Sequence, residues 1–186
     1  MTSGAVDAKN EAGIAALSAG RHDDARALFE EAVSLGRSAL EAKHPSLLEA
    51  LYNRGTWPRD PNDVAARAAD LEEVVQATRD QGDERSRTLA ASASHNLAVL
   101  REEAGRDDDA RELYADALRL RQELRGPDDP SLRPTIVRLA QLEHRTGRTL
   151  LAVTLYERAL VLARAELGPD HPHVRALEGY KRQVTG

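Results

Sequence analysis

The chain has 186 residues, with 26 Lys or Arg against 31 Asp or Glu, no cysteine, and one each of Trp, Phe and Met. Without cysteine there are no disulfides or thiolate metal sites, and a mixed-sign net charge of −5 gives no general attraction to nucleic-acid phosphates. No run approaches the ~20 apolar residues of a membrane helix, and the length suits a single domain or one short repeat array.

Ala and Leu dominate the apolar residues, so the core is expected to come from closely approaching helices rather than from a sheet. The N-terminal stretch MTSGAVDAKNEAG has no basic segment followed by an apolar run, which makes a cytoplasmic location the expectation. Arginine far outnumbers lysine, of which there are only Lys9, Lys43 and Lys181, a composition that points to a GC-rich, bacterial source.

The first hairpin is expected over about residues 5–45. Its first helix ends at Gly20, where glycine accepts the left-handed turn that stops a helix. Its second helix carries Ala25, Leu28, Phe29, Ala32 and Val33 at helical spacing, giving one apolar stripe opposite a charged face. Asp23 is expected as its N-cap, and Pro45 closes the unit.

The second hairpin, about 46–86, departs from this pattern. Gly55, Pro58 and Pro61 in LYNRGTWPRDPNDV predict a shortened first helix from about Ser46 to Arg54 and a loop to Asp63. A helix resumes at Asp63 with Ala68, Leu71, Val74, Val75 and Thr78 on its apolar face, runs to about Gln81 and ends at Gly82. The only tryptophan, Trp57, lies in the break. It is either a plug over the missing turn or an anchor for a partner.

The third hairpin, about 87–130, and the fourth, about 131–172, align with an offset of 42. Leu97, Ala98, Gly105, Ala110, Tyr114 and Ala117 correspond to Leu139, Ala140, Gly147, Ala152, Tyr156 and Ala159. Ala12, Gly13, Gly20, Ala25, Phe29 and Ala32 fall in the same frame in the first hairpin. Small residues let neighbouring backbones approach, and the aromatic at 29, 114 and 156 fills the space between units. Asp107 is expected to cap the second helix of the third hairpin, and a final helix over 173–184 covers the last apolar face with Val174, Leu177 and Tyr180.

The segment ELGPDHPHV repeats RGPDDPSL, residues 125–132, so its prolines mark a rigid corner. His171 and His173 correspond to Asp129 and Ser131 and lack a third ligand, which argues against a metal site. Asp107 to Asp109 form the acidic first turn of a helix, and Glu41 with His44 lacks the second pair that a helical carboxylate metal site needs. Phosphate-cradling glycine loops, nucleophile elbows and HExxH are absent. No catalytic residue, metal or cofactor is assigned, and the chain is expected not to be an enzyme.

The recurring small, small, Gly, Ala, aromatic, Ala, Pro pattern resembles the tetratricopeptide repeat. The 42-residue spacing with GPDHP between units is similar to its kinesin-light-chain variety. The resemblance implies an all-α, right-handed α-solenoid of four helix hairpins with a capping helix, forming one domain. In that family the first helix of each hairpin lines a concave groove that binds peptide or protein segments.

Carried onto this sequence, the groove frame selects Asn10, Glu11, Tyr52, Asn53, His95, Asn96, Arg138, Gln141 and Arg145, with Trp57 as a possible further anchor. In relatives an asparagine at this place clamps a bound peptide backbone. Asn53 and Asn96 match it, while Asn10 falls one residue early and Arg138 stands there in the fourth hairpin. An amide suits the task because it donates and accepts together. Acids prevail in the early hairpins (Asp7, Glu11, Glu49), whereas Arg138, His144 and Arg145 offer a basic end for a carboxylate. The expected function is a non-catalytic scaffold, a monomer or weak homodimer, that binds a protein or peptide partner. The alternative is a regulatory protein responding to a small ligand or signalling peptide.

Overall fold

A computed structural model describes residues 3–57, 60 and 62–185, and these form nine α-helices and one short 3-10 turn with no strand. Contacts divide the chain into two compact units, 1–97 and 98–186, with the boundary inside one helix.

The first unit holds α1 (Ser3–Ser18), α2 (His22–Ala39), α3 (Pro45–Thr56), α4 (Val64–Thr78) and most of α5 (Glu84–Glu103). Helices α1 and α2 pair as a hairpin, α3 and α4 as another, and α3 packs on both α1 and α2. The packing follows from the small and large residues read in sequence. Phe29 is completely buried, and its ring lies over Gly13, where an added Cβ would sit only 2.4 Å from Cε1. Gly36 makes the same close approach to Leu47. Around these contacts Val6, Ala16, Ala25, Ala32, Val33, Leu47, Leu48, Leu51, Leu71 and Val74 are buried. Each fully buried Val or Leu among these stabilises by about 1.5–3 kcal/mol.

The second unit begins with the last residues of α5 and contains α6 (Asp107–Arg125), a 3-10 turn (Pro130–Leu132), α7 (Arg133–Arg145), α8 (Thr149–Leu167) and α9 (Pro172–Thr185). Helices α7 and α8 form a hairpin, α9 packs on α8, and α6 packs on α7. Tyr114 and Tyr156 are buried with Ala98, Ala110, Ala140, Ala152 and Ala159 in one apolar cluster that Val174, Leu177 and Val184 of α9 complete. Helix α9 therefore covers apolar surface of α8 as expected, through Val174, Leu177 and Val184, whereas Tyr180, expected to share in this cover, is 41% exposed and stacks on Tyr156.

The hairpin turns are built alike. Gly20, Gly105 and Gly147 have φ of 73°, 71° and 80°. The arginine after each glycine donates its backbone N–H five residues back, Arg21 to Ala16 O at 2.9 Å, Arg106 to Arg101 O at 2.8 Å and Arg148 to Glu143 O at 2.7 Å. This is the Schellman arrangement that satisfies the last carbonyls of a helix. It also corrects the expected N-caps. The cap positions are Arg21 and Arg106, neither with a side-chain cap bond, because the turn delivers the chain into the next helix at once. Asp23 and Asp107 lie inside the first turn, where their charge complements the helix dipole.

At the corners between hairpins the residue before proline caps the next helix through its side chain. His44 Nδ1 accepts from Ser46 N at 3.2 Å, Asp129 Oδ1 from Ser131 N at 2.8 Å, and His171 Nδ1 from His173 N at 3.2 Å. Pro134 cannot donate to the carbonyl four residues back, so the chain enters α7 through the 3-10 turn.

The shortened α3 runs to Thr56 and contains Gly55, which corrects its reading as a breaker. Gly55 is buried where α4 crosses, and a Cβ there would lie 3.0 Å from Leu71 and 3.1 Å from the Arg67 carbonyl. Asp63, where the helix was expected to resume, is the N-cap of α4 and accepts from Ala66 N at 3.0 Å. Helix α4 ends at Thr78, short of Gln81, with the Thr78 hydroxyl turned back to the Val74 carbonyl at 2.7 Å. Arg54 fixes α3 to α4 by donating twice to Asp70, at 2.7 Å from both Nε and Nη2. That bond is the main cause that raises the Arg54 pKa. Pro58 and Pro61, expected to help end α3, lie outside the described residues.

Candidate binding faces

In the first unit α1, α3 and α5 bring the expected groove residues into one amide network. Asn53 Nδ2 donates to Asn10 Oδ1 at 3.4 Å, and Asn10 Nδ2 donates to the Ser46 carbonyl at 3.3 Å. Asn96 Nδ2 donates to Thr56 Oγ1 at 3.0 Å and to the Tyr52 hydroxyl at 3.4 Å. Asn10 is only 4% exposed, so its amide holds α1 to α3 and has no surface to offer a ligand. Asn53, Asn96, Tyr52 and His95 are half-buried, and Glu11 is exposed. Neither Asn53 Oδ1 nor Asn96 Oδ1 accepts a hydrogen bond among the described residues. An amide tethered by its nitrogen with an open carbonyl is an oriented acceptor.

Glu11 on α1 and Glu49 on α3 are acidic, and Glu49 is paired. Arg85 Nε donates to Glu49 Oε1 at 2.7 Å, the main cause that raises the Arg85 pKa. Trp57 is the C-cap of α3; it stacks on His22 with ring centroids 6.3 Å apart and remains 41% exposed.

In the second unit the three residues selected on α7 differ in availability. Arg138 is exposed and has no ion pair among the described residues. Gln141 is half-buried. Arg145 is already engaged, Nη1 to Glu102 Oε1 at 3.1 Å and Nη2 to Asp107 Oδ1 at 2.6 Å. Glu102 Oε2 also accepts from the buried Tyr114 hydroxyl at 2.8 Å. Burial first, and then this bond, raise the Tyr114 pKa, so the phenol stays a neutral donor. Of the two arginines of the expected basic end, Arg138 is the one without an ion pair among the described residues.

Sequence reading missed a second kind of tie. Glu143 of α7 is fully buried; its Oε1 accepts from Arg111 Nε of α6 at 2.6 Å, while Oε2 has no hydrogen bond and lies 3.6 Å from Arg148 Nε. Arg111 also contacts Asp108 through Nη1 and Thr146 Oγ1 at 3.3 Å. The signal that could have found it was DDAR, written at Asp23 to Arg26 and again at Asp108 to Arg111.

Among the described residues no three His, Asp or Glu side chains converge to hold a metal ion, and no helix is long and apolar enough to cross a membrane.

Comparison with known proteins places this fold. Two crystal structures of nearly identical TPR-like repeats from a Podosopora anserina protein described as a putative kinesin light chain superpose on the chain. One, of a single-substitution variant, has TM-score 0.77, 20% identity, and covers 96% of this chain and 84% of its own. The other has TM-score 0.79 and 19% identity, with 98% and 86% covered. BtubC (BKLC) from P. vanneervenii superposes with TM-score 0.75 and 17% identity over 92% of this chain and 68% of its own. At these identities the likeness is one of fold, an all-α solenoid of helix hairpins. No curated protein matches the chain. The tetratricopeptide repeat family model matches residues 5–63 and 89–160, more than half of the sequence, and the chain belongs to the tetratricopeptide repeat family.

Proposed function

We infer that this chain is a non-catalytic scaffold whose face on α1, α3 and α5 grips an extended segment of a protein partner. Tetratricopeptide repeats generally mediate binding between proteins. The observation that carries the finer reading is the pair of half-buried amides Asn53 and Asn96, on successive first helices, each held through nitrogen and each presenting an unused carbonyl. Such acceptors fit the backbone N–H groups of an extended chain, which recur whatever its side chains are. Tyr52 and His95 supply flat, partly covered surface beside them, and Glu11 gives the rim a negative charge. In the second unit, taken by itself, Arg138 is suited to a partner's carboxylate because its guanidinium is exposed and unpaired among the described residues. Asn10 holds Asn53 by accepting from its Nδ2, and Arg145 is engaged with Glu102 and Asp107, so neither is proposed to meet a ligand directly.

The test is a peptide-display selection on the intact protein, followed by titration of the selected peptides against N53A/N96A and R138E. The double variant is expected to weaken binding at least about tenfold, a loss of about 1.4 kcal/mol or more, and to lower the melting temperature because the buried Asn10 Oδ1 loses its donor, so the titration is made well below the variant's own midpoint. R138E is expected to weaken only peptides with a carboxylate at the matching place. Equal binding by the parent and the double variant refutes the assignment to this face.

A further inference from the structure

On α8 the residues Glu157, Val161 and Arg164 follow at intervals of four and three and so share one face of the helix. Val161 is 62% exposed, and with Leu160 it lines a groove of about 380 Å³ between α8 and α9. The walls of the groove are ionic. Lys181 Nζ donates to Glu157 Oε1 at 2.6 Å, and Arg164 Nη2 donates to Glu178 Oε1 at 2.7 Å. Glu157 and Arg164 still keep 56% and 49% of their side-chain surface in solvent, which leaves each of them room for a second partner.

The matching row on α6 is Ala115, Arg119 and Gln122. Its middle position is a hydrated arginine paired within its own helix, with Asp116 at 3.6 Å and Glu123 at 3.0 Å. Valine in that place offers apolar area that stabilises only when something covers it. The charges on either side of it indicate what the cover is. In the first unit Arg37 of α2 and Glu73 of α4 hold the places of Arg164 and Glu157, and they tie the second helix of one hairpin to the second helix of the next, Nη2 to Oε2 at 2.6 Å. Helix α8 carries both members of that pair on one row, the acid four residues before Val161 and the base three after it. Two such rows laid antiparallel about Val161 set each Glu157 opposite the other copy's Arg164.

We propose that this row docks a second copy of the chain, α8 against α8 about a two-fold axis at Val161, with the two valines in contact and two Glu157–Arg164 pairs between the copies. The patch is its own complement, as a two-fold contact requires. One helical row covers less area than a stable complex buries, so the dimer is weak, with a dissociation constant on the order of 10–100 µM. The surface is separate from Asn53, Asn96 and Arg138 and does not rest on the function inferred for them.

Sedimentation velocity of the intact chain between about 5 and 500 µM is expected to show a monomer giving way to a dimer. E157R and R164E each set like charges opposite one another twice, and each is expected to stay monomeric at about 500 µM. An equimolar mixture of the two restores opposite charges across the axis and is expected to dimerise as the parent does. V161K is expected to weaken the dimer at least about tenfold. All three positions are exposed, and circular dichroism checks that each variant keeps its helices. A parent that stays monomeric at the highest concentration overturns the proposal and leaves the row to a different protein. So does a charge variant that self-associates like the parent, or a mixture that associates no more than its components. Should a charge variant not fold, salt decides on the parent alone. Its dimer is expected to weaken severalfold between about 50 and 500 mM salt, and a dimer indifferent to salt overturns the pairing.

Discussion

Replacing Arg111 with methionine separates a buried ion pair from an exposed one. Glu143 is 0% exposed, and Arg111 Nε at 2.6 Å gives its carboxylate the only hydrogen bond found among the described residues. Removing one member of a buried pair strands the other charge, a cost of about 3–5 kcal/mol. Arg148 Nε stands 3.6 Å from Oε2 and can take over part of the interaction, which places the expected loss near the lower end, about 3 kcal/mol. For a chain of this size that is roughly 6–12 °C in melting temperature. R111M/E143M removes both charges and fills the space with apolar atoms, so it is expected to recover most of the loss. R26M has no buried carboxylate to strand and loses only the pair with the exposed Asp23, under about 1 kcal/mol. Urea unfolding of the parent and the three variants, with E143M added to close the double-mutant cycle and circular dichroism as the readout, measures each quantity. An R111M loss within about 1 kcal/mol of zero, or an R26M loss as large as that of R111M, refutes the contrast between the two sites.

Two further outcomes test the packing. Gly13→Ala drives a methyl to 2.4 Å from the Phe29 ring and is expected to cost about 1–3 kcal/mol, which G13A/F29L partly relieves; urea midpoints for the single and double variants check it. Burial raises the pKa of both Tyr114 and Tyr156, and for Tyr114 the bond to Glu102 adds to it. A folded value raised above the unfolded one means this stability is fully present below the ordinary phenol value of about 10, and is lost as pH rises through the raised folded value. Tyrosinate absorbance is therefore expected to reach its unfolded level only as the helical circular dichroism collapses. Full ionisation of a chain that keeps its helices contradicts this.

The hairpins were legible because their signals are local and repeated. A glycine with positive φ, a small residue where backbones meet and an aromatic nine residues beyond the glycine each act on near neighbours. Three copies in one frame make chance agreement implausible. Where one residue serves two purposes, the signal misleads. Gly55 beside two prolines reads as a breaker, yet it sits inside α3 because α4 passes too close for a side chain. Asp23 and Asp107 have the composition of N-caps, but the backbone turn before them had already supplied the geometry.

The binding residues were legible by type and not by availability. Asn10, Asn53 and Asn96 carry the same amide, and only their neighbours separate the buried tie of Asn10 from the open carbonyls of the other two. Arg138 and Arg145 are equally basic in sequence, but Arg145 meets Glu102 and Asp107 from elements far from it in the chain. Whether a polar group is already engaged depends on contacts between hairpins, and these are set by which positions the other helices bring alongside. The same dependence makes DDAR ambiguous. At Arg111 the neighbouring hairpin supplies a carboxylate to Nε, whereas at Arg26 Nε has no hydrogen-bond partner. A repeat protein acquires individuality with least disturbance in this way. With α3 ending at Thr56, its packing on α1, α2 and α4 is kept, and Arg26 Nε is left without the kind of partner that Arg111 finds in Glu143.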